Sequence, residues 1–108
     1  MSSFDDRKRG EEARYAMDEA TEFKVMARRN KLLGLWIAEQ MNLAGDEADG
    51  YAKTVVLADL EEPGDEDVFR KVQGDIAANG LNISDDLLRE RMAELIPVAR
   101  EQVQSETD

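Results

Sequence analysis

Apolar residues recur along this chain at steps of three, four and seven, and no stretch alternates with the period of two that marks a strand. Phe23, Met26, Leu33, Trp36, Ile37 and Met41 share one face of a helix predicted over about 20–43. Gly45 breaks that pattern, and Asp46 reads as the N-cap of a second helix carrying Ala48, Tyr51, Ala52, Val55 and Val56. This helix must stop at Glu62-Pro63-Gly64. Asp65 can cap a third helix, with Val68, Phe69, Val72 and Ile76 inward and Asn79-Gly80 supplying the left-handed residue that ends it. Ser84 can cap a fourth. There Asp85 and Asp86 meet the positive end of the helix dipole, Ile83 is placed to staple onto Leu88, and Met92, Leu95 and Ala99 continue the stripe.

Pro97 interrupts this last stripe and is expected to kink the helix or end it, since it lacks a backbone N–H. From Glu101 to Asp108 the chain has little to bury and is expected to fray. Four amphipathic segments with short connections predict an all-α fold, a four-helix bundle. Its expected core comprises Phe23, Leu33, Trp36, Tyr51, Val55, Phe69, Val72, Ile76, Leu88, Met92 and Leu95.

The segment from Phe4 to Glu19 breaks the pattern. Ten of its sixteen residues are charged, and no helix-spaced row of large apolar side chains gives it a face to bury. Its pairs Arg7–Glu11, Lys8–Glu12 and Arg14–Asp18 have the base first, the weaker orientation, at about 0.2–0.5 kcal/mol each. Phe4, Tyr15, Met26 and Ile37 nevertheless stand eleven residues apart, close to three whole turns, so a continuous helix would align them. This segment reads either as a solvated tail or as an arm that orders when a partner supplies the missing face.

Composition narrows the chemistry sharply. Of the 108 residues none is histidine and none is cysteine, which removes the Ser-His-Asp triad, the thiolate nucleophile, the imidazole base and the usual zinc sites. The formal charge of -11 opposes approach to a nucleic-acid backbone. It is unevenly spread: residues 1–31 hold eight bases against seven acids, so the whole deficit lies beyond them. No run is long and apolar enough to span a membrane, and the first residues do not resemble a secretory signal, so a cytosolic location is expected.

The densest carboxylate group is Glu61, Glu62, Asp65, Glu66 and Asp67, and helix capping accounts for its second half without a metal. No glycine sits in a complete calcium loop, and neither standard phosphate-binding glycine motif is present. Lys24, Arg28 and Lys31 share a helix face with Arg29 beside it, read as a solvated face that pairs with the acidic body. These features describe a non-catalytic interaction module, with no metal required.

Three strings carry more. Phe4-Asp5-Asp6-Arg7, then Arg28-Arg29-Asn30-Lys31-Leu32-Leu33-Gly34-Leu35-Trp36, then Glu61 to Val72 (EEPGDEDVFRKV), closely resemble the ζ subunit of α-proteobacterial F-type ATP synthases, a likeness extending from about Phe4 to Leu95. The resemblance implies a four-helix bundle, residues 20–103, preceded by a mobile inhibitory arm, residues 1–19; the residues themselves leave a frayed tail, 104–108. It further implies that the arm enters an α/β interface of the catalytic head near the γ stalk and blocks rotation in the hydrolysis direction. The partners would be the α, β and γ subunits, and the contacts would fall on Phe4, Asp5, Asp6, Arg7, Lys8, Arg9, Arg14 and Tyr15. Weak ATP or ADP binding is implied by the resemblance alone, with no cofactor required. A free monomer is expected, peripheral to the inner membrane when bound. The competing reading is an acidic helical module with an unrelated protein partner.

Overall fold

The computed structural model describes the backbone of residues 2–59 and 65–107, and side chains for residues 21–59 and 65–106. Four helices follow one another: α1 (Ser2–Gln40), α2 (Gly45–Ala58), α3 (Glu66–Ala78) and α4 (Asp85–Thr107). No strand occurs among the described residues, so the all-α four-helix fold expected from the periodicity is the one observed. Helix α1 begins at Ser2, not near residue 20, and its 39 residues carry the segment read as an arm and the first bundle helix on one backbone.

The helix ends follow local chemistry. At the close of α1 the Leu43 amide donates to the Ala38 carbonyl at 2.9 Å and the Asn42 amide to Glu39 at 3.1 Å, while Asn42 adopts φ 65°. This is a Schellman closure with asparagine in the left-handed position, three residues before the glycine expected to break the helix. The same motif ends α3, where Gly80 has φ 61°, Leu81 donates to the Ile76 carbonyl at 3.0 Å and Gly80 to Ala77 at 3.2 Å. Ser84 caps α4 as expected, its Oγ accepting from the Leu87 amide at 3.1 Å.

Two other expected caps are corrected. The residue flanking α2 is Ala44, without a side-chain cap, and Asp46 stands with Glu47 inside the first turn, acting through the helix dipole. Asp65 flanks α3 but makes no side-chain cap, because an arginine takes its carboxylate. The stop expected at Glu62-Pro63-Gly64 lies outside the described residues, and α2 has already ended at Ala58.

The main core joins Leu33 and Ile37 of α1 to Val55 of α2, Val68, Phe69, Val72 and Ile76 of α3, and Leu88 and Met92 of α4. Trp36, Tyr51 and Leu95, expected in the core, pack against it but stay partly exposed. A smaller cluster of Val25, Ala99 and Val103, with Leu32 and Ile96, binds α1 to α4. Gly34 lets α1 and α2 approach closely: a Cβ there would stand 2.6 Å from the Cα of Ala52.

Phe23 is the clear miss, 65% exposed. Val25 takes the inward position and is fully buried, and at 100° per residue Phe23 lies roughly 200° around the helix from it. The end of α4 also differs from expectation. The helix continues through Pro97 to Thr107, and Val103 is buried. Arg28 of α1 reaches Gln102 at 2.9 Å and Glu106 at 2.7 Å, so the turns after Glu101 have partners.

Candidate partner interface

The residues expected to touch a partner, Phe4, Asp5, Asp6, Arg7, Lys8, Arg9, Arg14 and Tyr15, all fall on the first part of α1, where side chains lie outside the described residues. The backbone places them on the same helix that enters the bundle, with no loop between. The described part of that helix then carries two polar arrangements of different character.

The first is buried. Arg29 has no exposed surface. Its guanidinium donates to the Asn30 Oδ1 at 2.8 Å, to the Met92 carbonyl at 3.2 Å and to the Asp65 carboxylate at 2.7 Å. One side chain thereby ties α1 to α4 and to the entry of α3. Sequence reasoning placed Arg29 on the solvated basic face. The contrary signal was present, since Val25, Arg29, Leu33 and Ile37 are spaced by four and all four are buried. Nearby, burial pushes the Asp59 carboxyl above its usual range, while the neighbouring Asn30 amide and the charge of Arg29 act in the opposite direction.

The described acidic residues of this cluster, Asp65, Glu66 and Asp67, are each committed to arginine, while Glu61 and Glu62 lie outside the described residues. Asp65 holds Arg29, Glu66 holds Arg89 at 2.9 Å and Asp67 holds Arg70 at 2.7 Å. The hydrogen bond and charge of Arg89 keep the Glu66 carboxyl below its ordinary value. No grouping of three or more metal-ligating side chains occurs among the described residues. Tyr51 donates to Asp75 at 2.7 Å, and burial first, then that carboxylate, raises its phenol well above the ordinary value of 10.0. These are structural contacts, engaged within the bundle.

The second arrangement is open. A cleft of about 580 Å³ runs along α1 between α2 and the end of α4. Ala27, Val56 and Val103 give it an apolar floor, exposed Phe23 stands at its edge, and Lys24, Arg28 and Lys31 border it. Periodicity had correctly put Lys24, Arg28 and Lys31 on one face, but it missed the apolar floor, because that floor is assembled from three helices.

Comparison with known proteins accords with this architecture. A solved structure determined by solution NMR is similar over 79% of this chain and 96% of its own, with 47% identity and a TM-score of 0.70. No match was found among curated proteins. The sequence profile described as ATPase inhibitor subunit zeta matches residues 1–102, spanning the first part of α1 together with the bundle it enters. The chain therefore belongs to the ATPase inhibitor subunit zeta family.

Proposed function

We propose that this protein restrains ATP hydrolysis by the F-type ATP synthase without itself being catalytic. Residues 1–19 enter an α/β interface of the catalytic head beside the γ stalk, and the bundle stays outside as a stop. The observation that supports this is the extent of the family match, residues 1–102, which takes in the charged N-terminal segment and the bundle as one unit. The continuity of α1 adds a physical reason, because a helix shared by both parts holds the stop at a fixed distance from whatever the arm binds.

In this reading Phe4 and Tyr15 are the aromatic anchors, and Asp5, Asp6, Arg7, Lys8, Arg9 and Arg14 set orientation through charge. The protein then works wherever the catalytic head is, on the cytoplasmic side and peripheral to the membrane. No helix among the described residues is long and apolar enough to cross a membrane.

The test is ATP hydrolysis by the isolated catalytic head with the full chain, with a chain starting at Ala20, and with Phe4→Ala and Tyr15→Ala. The full chain should inhibit and the shortened chain should not, while each aromatic substitution should weaken inhibition more than removal of a single arm charge. A shortened chain that inhibits equally would remove the arm from the mechanism. A full chain that never inhibits would leave an acidic interaction module with another partner.

A further inference from the structure

Among the described residues, seven lysine and arginine side chains sit in ion pairs. The remaining three are Lys24, Lys31 and Lys53, all exposed. Their placement is not scattered. Lys24 and Lys31 border the 580 Å³ cleft, and Lys31 and Lys53 border a second hollow of about 230 Å³ that shares Val56 with it. Sharing Lys31 and Val56, the two hollows adjoin as a furrow beside α1. With Arg28 counted, the described residues lining the two hollows include four cations and two carboxylates, Glu106 and Asp49, a local positive excess on a chain whose formal charge is -11.

The furrow also has an apolar part to its lining. Ala27, Ala52, Val56 and Val103 line it, and Phe23 stands at its open end with most of its surface in water. An exposed aromatic side chain beside an apolar floor with a charged rim is the composition of a docking surface. Lys24 and Lys31 are seven residues apart, about 10 Å along α1, or two turns. Cations spread over that distance match carboxylates spaced along a second helix better than they match one compact anion.

We propose that this furrow docks an acidic amphipathic helix of the catalytic head, alongside the site taken by residues 1–19. The inference rests on the inhibitory reading above and adds a second contact to it. The partner helix lays its apolar face on Phe23, Ala27, Val56 and Val103, and its carboxylates meet Lys24, Lys31 and Lys53. The division of labour follows: the arm blocks, and the furrow supplies affinity and sets the angle at which the bundle seats.

The experiment uses the full chain carrying Phe23→Ala, or Lys24→Glu with Lys31→Glu, and measures Kd for the isolated catalytic head across a salt series together with maximal inhibition at saturation. These side chains are exposed, so melting curves should coincide with that of the unaltered chain and confirm folding. The lysine pair should weaken binding at least tenfold at low salt and flatten the salt dependence. Phe23→Ala should weaken it severalfold at every salt, and both variants should still inhibit fully once saturated. Unchanged Kd values, with the unaltered chain binding and inhibiting, would overturn this inference and leave the inhibitory reading intact. An unaltered chain that neither binds nor inhibits would overturn both. Unchanged Kd values with amide shifts over residues 23–31 on adding ADP would make the furrow a small-anion site, and a change confined to self-association of the free chain would make its occupant a second copy.

Discussion

Arg29 makes the strongest demand of any single side chain here, because a guanidinium with no exposed surface must find its partners inside the protein. Among the described residues its ion pair is with Asp65, and that carboxylate is 43% exposed. Asp65→Asn should therefore cost about 2–3 kcal/mol, below the roughly 3–5 kcal/mol for a fully buried pair, and lower the melting midpoint on the order of 10 °C. Glu66→Gln, at an exposed pair, should leave the melting curve unchanged. Tyr51 offers a pH test. Its phenol is raised in the folded state by burial and by Asp75, so its contribution to stability is complete below the ordinary value of 10.0 and is lost as pH rises further. Ultraviolet titration of the two tyrosines should accordingly show Tyr51 resisting ionisation until the fold opens, with Tyr51→Phe abolishing the delayed component. At this scale the sequence was least legible. Helical spacing put Phe23 on the buried face and residue type put Arg29 on a solvated one, whereas the packing of α2 and α4 against α1 turns the Val25–Arg29–Leu33 row inward.

The elements themselves were more legible, because a period of 3.6 summed over a dozen residues outweighs any one misplaced side chain. The left-handed glycine after α3 and the serine cap of α4 were readable from local chemistry alone. Asp46 and Asp65 were not. A capping aspartate and a dipole-facing or ion-paired one have the same sequence signature, and tertiary partners chose between them. Pro97 does not end the helix: its cost is local, whereas Ala99 and Val103 beyond it gain burial against α1. The contact between α1 and α2 depends on Gly34, where a Cβ would meet the Ala52 backbone at 2.6 Å. Gly34→Ala should force the helices apart and cost about 1–3 kcal/mol in denaturant unfolding, despite the higher helix propensity of alanine.

For the whole molecule, the fold and its family were open to sequence reasoning, while the furrow was not, being assembled from α1, α2 and α4 together. Among the described residues, the main core draws on α1 from Leu33 onward, and the smaller cluster from Val25. A chain starting at Ala20 should thus keep a cooperative melt within a few degrees of the full chain, with any larger fall showing that residues 1–19 support the bundle. The single tryptophan stands where all this can be watched. Trp36 rests against the main core, with the Arg91 guanidinium 4.8 Å from its ring centre. Its indole is therefore an intrinsic optical gauge of bundle closure. Emission will shift to the red when α1 and α4 part, so folding, ligand titration and seating on a partner can all be followed in one cuvette without attaching a dye.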